Sequence, residues 1–120
     1  MNPESQEPID WPRALDAMQG DASLLAIAVQ AAIEEVPSLL DRVRRAVAEG
    51  NPDELRLAAH TLKGSVQYFV VERLVEMLLE LESLGKAGDV RRAGERLADL
   101  EREVGLFYAA LRRYSDSPPK

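Results

Sequence analysis

The sequence has no cysteine. That excludes disulfides and thiolate metal sites, and it suits a reducing compartment. Aromatic residues make up only 5% of the chain, so little in it favours strands. Histidine occurs once, at position 60, and a lone imidazole without partner ligands is a poor metal site. No uninterrupted apolar run approaches the roughly 20 residues needed to cross a bilayer. The opening residues MNPESQEPID contain acids and no basic stretch, unlike a signal peptide. No glycine-rich nucleotide-binding loop is present. Basic residues are outnumbered 15 to 21, giving a net charge of -6, and such a surface repels nucleic-acid phosphates and anionic lipid headgroups. The expectations are a cytoplasmic protein with no nucleic-acid or membrane partner and no cofactor.

What remains is helix. The 120 residues fit one domain, expected at residues 9–114 between loose tails at 1–8 and 115–120. A short first helix is predicted over Trp11–Met18, capped by Asp10, with Pro12 in its first turn. The second runs over about 22–49, with an apolar stripe of Leu25, Val29, Ala32, Val36, Leu39, Val43 and Ala46 at alternating spacings of four and three. Pro37 lies inside it, removes one backbone hydrogen bond and is expected to kink the helix there. Gly50-Asn51-Pro52 marks a boundary: glycine ends one helix, asparagine caps the next and proline fills its first position. The third helix extends to about Phe69 and the fourth over about 72–84, with Gly85 and Gly88 bracketing a turn. Asp89 caps a fifth helix carrying Val90, Ala93, Leu97, Leu100, Val104, Phe107 and Leu111. Four long amphipathic helices joined by short turns predict an all-α antiparallel up-down four-helix bundle with a short additional N-terminal helix.

The third helix is the unusual one. At about 100° per residue, Leu55, Ala59, Leu62, Val66 and Phe69 share one arc that faces the core, with Ala58 at its edge. His60, Lys63, Gly64 and Gln67 lie opposite or to one side, so His60 points outward with a lysine one turn away. Gly64 follows one turn after His60 on the same face. A glycine inside a helix costs about 0.5–1 kcal/mol relative to alanine, and here it leaves the imidazole uncrowded. Leu57 and Tyr68 border this face with apolar surface. A neutral imidazole is a competent nucleophile for a phosphoryl group at neutral pH. Lys63 can offset the charge such a group brings. Gln67 is a candidate hydrogen-bond donor to it. On the second helix Ile27, with Leu24 and Ala31, lies away from the core stripe and is a candidate contact for a partner.

AHTLKGS, residues 59–65, closely resembles the signature of histidine-containing phosphotransfer (HPt) domains: a phosphorylatable His followed by Lys at +3 and Gly at +4, here His60, Lys63 and Gly64. IDWPRALDAMQGDASLL is similar to the opening helix and turn of that family. EEVPSLLDRVRRAVAEGNPDELRLAAHTLKGS resembles its middle, and the similarity spans about residues 9–113. The resemblance implies a phosphoryl carrier in a two-component phosphorelay. His60 would exchange a phosphoryl group with receiver-domain aspartates of response regulators and a hybrid sensor kinase, without kinase activity of its own. Any magnesium would belong to the partner receiver. A self-contained bundle favours a monomer. Two positions depart from the pattern: Tyr68 stands where Asn is frequent, and Val70 where Gly is frequent.

Three other readings compete. The dimerisation domain of a sensor histidine kinase also carries a His on a bundle helix. There an acid usually follows the His and a proline lies close by, whereas Thr61 follows here and no proline occurs between Pro52 and Pro118. The phosphotransfer segment of a chemotaxis-type or hybrid kinase shares the fold and a similar motif. A helical adaptor without phosphochemistry would be indifferent to loss of His60.

Overall fold

Side-chain caps open four of the five helices found among the described residues. A computed structural model describes residues 7–116, with α1 at Trp11–Ala17, α2 at Ala22–Glu49, α3 at Pro52–Val66, α4 at Glu72–Ala87 and α5 at Val90–Asp116. Carboxylate or amide oxygens of Asp10, Asp21, Asn51 and Asp89 accept from the backbone N–H three residues on, at 3.2, 3.0, 3.1 and 3.1 Å. Each satisfies a donor that the helix cannot use internally. Gly50 closes α2 in the left-handed conformation at φ 66, which a residue with a Cβ adopts only at a cost. The described residues contain no strand, and the fold is all-α.

Every residue of the predicted α2 stripe is buried, as are Leu55, Ala58, Ala59, Leu62 and Val66 of α3. The α5 stripe is buried or half-buried throughout. α3 packs against both α2 and α4, and α5 packs against the same two helices from the other side of the core. α2 runs unbroken through Pro37, and nearby Ser38 donates its hydroxyl hydrogen to the Glu35 carbonyl at 3.1 Å. The expectation about apolar runs needs amending here. α2 is long and apolar enough to cross a membrane by length and composition, with an 18-residue window of mean hydropathy 1.5. Residues 22–40 carry only two charges, the adjacent Glu34 and Glu35, so averaging over a window passes where a strict run does not. In the structure its stripe faces α3 and α5.

α1 closes one end of the core. The Trp11 ring stacks on Tyr114 of α5 at 4.2 Å between centroids and meets Phe69 edge-on at 6.4 Å. Phe69 in turn meets Phe107 edge-on at 5.5 Å. Such aromatic contacts add to the burial of apolar area.

Several predicted boundaries move. The third helix ends at Val66, and Gln67–Phe69 form a 3-10 turn. Val70 then takes φ 56 and ψ 45, a left-handed conformation that reverses the chain before α4. The fourth helix does not stop at Leu84 but continues to Ala87, with Gly85 buried inside it. A Cβ on Gly85 would lie 2.8 Å from the Arg56 backbone nitrogen and 2.9 Å from the Pro52 carbonyl. This glycine therefore lets α3 and α4 touch backbone to backbone and marks no turn. At the chain ends, Ile9 is buried and Glu7 pairs with Arg113 at 2.9 Å. α5 runs to Asp116, two residues past the expected edge at 114. Residues 1–6 and 117–120 of the expected tails lie outside the described residues.

Candidate functional site

Helical phase carries His60 to the surface of α3 on the side that faces α4. Its side chain is 60% exposed, and Nδ1 lies 3.2 Å from Oε2 of Glu82 on α4. The other Glu82 oxygen, Oε1, accepts from Lys63 Nζ at 3.0 Å. Glu82 and Lys63 are far less open than the histidine, at 20% and 17% exposure. His60 and Lys63 are thus brought together through a third residue from the neighbouring helix.

The carboxylate dictates how the imidazole is presented. An ionised Glu accepts and cannot donate, so the ring nitrogen facing it carries the proton. Nδ1–H then points at Glu82, and the lone pair is left on Nε2. The Lys63 hydrogen bond, above all, holds the Glu82 carboxyl below its ordinary range. Partial burial opposes this, while the hydrogen bond from His60 and the charges of both neighbours add to it. A lowered value keeps Glu82 ionised, which preserves its hold on Nδ1.

On the other side of α3 lies a groove shared with α2, about 560 Å³ in volume. Leu24, Ile27 and Ala31 line it from α2, and Gly64, Gln67 and Tyr68 from the α3 side. Ile27 is 66% exposed, and Leu24, Leu57 and Tyr68 are also exposed. A Cβ on Gly64 would meet nothing within 4 Å, so this glycine opens the groove wall without being forced by contacts within the protein. Gln67 is exposed in the 3-10 turn. Leu57 is exposed one turn before His60 but does not line this groove. Among the described residues, no group of three or more His, Asp or Glu side chains stands close enough to hold a metal ion.

A family model described as the Hpt domain matches residues 28–113. The chain belongs to the Hpt domain family. The match begins inside α2, so it is narrower than the resemblance over 9–113 and leaves α1 outside. No curated protein and no solved structure matches the chain. Hpt domains are phosphocarriers that work in phosphorelays with receiver domains, and they are not kinases. In this Hpt domain sequence reasoning missed Glu82. The ELES run of α4 placed an acid at the edge of the core, but only the packing of α3 on α4 selects which acid meets His60. Phase alone also gave Lys63 a direct role beside His60, whereas the structure pairs it with Glu82.

Proposed function

We propose that this protein carries a phosphoryl group on Nε2 of His60 and exchanges it with aspartates of receiver domains in a two-component phosphorelay. The observation that carries the reading is the hydrogen bond that Nδ1–H donates to Glu82, which leaves the outer nitrogen as the nucleophile. In the forward step the Nε2 lone pair attacks phosphorus. An N–P bond forms, the bond from phosphorus to the aspartyl oxygen breaks, and the aspartate leaves as a carboxylate. The proton on Nδ1 stays, so the ring gains positive charge as the bond forms. Glu82 faces that charge and stabilises it, as a buried carboxylate stabilises an imidazolium elsewhere. Lys63 stands one turn from His60 and offsets the charge of the phosphoryl oxygens. The return step runs through the same atoms.

The carrier has no kinase activity and needs no cofactor of its own, and any magnesium resides in the partner receiver. Receivers of response regulators and of a hybrid sensor kinase dock on the groove beside Gly64, using Ile27, Gln67 and Tyr68, with Leu57 as a further exposed contact outside the groove. An antiparallel up-down arrangement of α2–α5, with α1 added, is supported by the short turns and by the pairwise packing of α3 and α5 on α2 and α4. The domain covers residues 9–114, extended by the last turn of α5. It acts as a cytoplasmic monomer.

The test is incubation of the protein with phosphorylated receiver domains. Wild type should acquire acid-labile, base-stable phosphate, and His60→Gln should not. Lys63→Ala should fold and transfer more slowly. Equal labelling of wild type and His60→Gln would overturn the assignment of His60.

A further inference from the structure

Most cations on this surface are paired: Arg13 with Glu72, Arg42 with Glu54, Arg44 with Glu101 and Arg96 with Glu80. Arg56 of α3 and Lys86 of α4 make no ion pair among the described residues. Their places are related. Arg56 precedes His60 by four residues, so it lies one turn away, about 5.4 Å along the axis, on nearly the same face. Lys86 follows Glu82 by four residues and is displaced in the same direction, because α3 and α4 are antiparallel where His60 meets Glu82 and Arg56 meets Gly85. Gly85 brings the two backbones into contact at Arg56, which sets the roots of both side chains at one level of the seam. Lys86 is exposed and Arg56 half-buried.

The charge balance gives this pair a use. Before transfer, Lys63 is neutralised by Glu82 at 3.0 Å. Arg56 and Lys86 are then the cations without an ion pair that stand one turn from His60 and Glu82, with Asp53 and Asp89, which also make no ion pair among the described residues, one turn further out, on a chain whose net charge is -6. A negative carrier repels an anionic partner at long range, and local cations beside the reactive atom reverse that at short range.

We propose that Arg56 and Lys86 form a cationic docking contact for the acidic surface of a receiver domain around its phosphoaspartate. It is separate from the α2–α3 groove and from Lys63. The proposal rests on the phosphotransfer reading. A phosphoaspartyl site is anionic by its own chemistry, and the pair lies on the α4 side of His60, across α3 from the apolar groove. The incoming receiver is thereby held on both flanks of the imidazole, by apolar contact on one and by charge on the other. Cations at such a rim act on association and contribute little to the chemical step.

The experiment measures phosphoryl transfer from a phosphorylated receiver domain that labels the wild type, over a range of receiver concentrations and of salt. The Arg56→Ala/Lys86→Ala variant should lower the second-order rate constant by roughly three- to tenfold at low salt. The maximal rate at saturating receiver should be unchanged, and the salt dependence should be weaker. Arg92→Ala, which removes a cation of α5 that makes no ion pair among the described residues, should behave as wild type. Arg56→Glu/Lys86→Glu should fall further than the alanine variant, with its helical circular dichroism intact. An unchanged second-order rate constant and salt slope in the alanine variant would overturn the contact while leaving His60 as the carrier. A drop confined to the maximal rate would overturn it too, since that assigns the cations to the phosphoryl group. Failure of every receiver to label wild type would overturn the phosphotransfer reading and this proposal with it.

Discussion

Glu82 Oε2 lies 3.2 Å from His60 Nδ1 while its other oxygen holds Lys63 at 3.0 Å. One carboxylate from α4 therefore fixes the ring of the histidine and the head of the lysine on α3. Glu82→Ala should release both. In its 15N spectrum the wild-type His60 should show a protonated Nδ1 and an unprotonated Nε2, and Glu82→Ala should show a mixture of tautomers. Transfer should slow by about ten- to a hundredfold, by analogy with losing the hydrogen-bond partner that orients a metal-ligating histidine. Glu82→Gln should fall between the two, because its amide oxygen still accepts from Nδ1 but carries no charge. A wild-type tautomer ratio in Glu82→Ala would show that the carboxylate does not set the ring.

The lowered Glu82 value also has a sign in folding. The folded protein holds this proton less tightly than the unfolded chain, so the stabilisation is complete above the ordinary glutamate value of about 4.3. It is lost as the pH falls through the lowered value. Urea unfolding should find Glu82→Gln less stable than wild type at about pH 6, with the difference shrinking towards about pH 3. A difference independent of pH would assign the contribution to packing.

Gly64 separates stability from function. Its Cβ position is empty, so Gly64→Ala should raise stability by about 0.5–1 kcal/mol in thermal unfolding. Gly64→Leu should also fold but slow transfer by roughly tenfold or more, because it displaces the receiver from the imidazole. Wild-type transfer by the leucine variant would show that the open groove wall is not needed for docking.

Val70 holds a left-handed backbone at φ 56, and a β-branched residue is strained there. Such a conformation costs about 1–2 kcal/mol for a residue with a Cβ. Glycine loses part of that gain through its freer unfolded chain. Val70→Gly should therefore stabilise by about 1 kcal/mol or less in thermal unfolding. Destabilisation would mean that the half-buried valine side chain contributes more than its backbone costs.

Gly85→Ala should act in the opposite direction. The added methyl meets backbone atoms at 2.8 and 2.9 Å, which cannot rotate away. A loss of about 1–3 kcal/mol is expected, and because the α3–α4 seam widens, His60 and Glu82 should separate and transfer should slow. Unchanged stability would show that the two helices can part at no cost.

The apolar periodicity made the helices legible, since core positions recur with the helical period whatever they pack against. The caps were legible too: Asp10, Asn51 and Asp89 act through neighbours three residues away in sequence. Gly85 was misjudged because a glycine that ends a helix and one that admits a neighbouring backbone look alike in sequence. At the site, the outward phase of His60 could be derived from α3 alone. Its partner could not, because Glu76, Glu80 and Glu82 all lie on α4 and the choice among them depends on helix rotation and register. Tyr68 and Val70 stood out as departures from the family pattern, and the structure accounts for one of them: Val70 occupies a backbone conformation that suits glycine.

The aromatic cluster at the end of the core has an experimental use. Trp11 is the only tryptophan in the chain, and it stacks on Tyr114 while meeting Phe69, the last residue of the turn that follows the histidine helix. Its emission therefore reports on the mutual seating of three segments: α1, the C-terminal part of α5 and the exit from α3. Excited near 295 nm, the unmodified protein supplies its own optical gauge of whether that end of the molecule loosens when a receiver binds or a phosphoryl group arrives, without any label attached near His60.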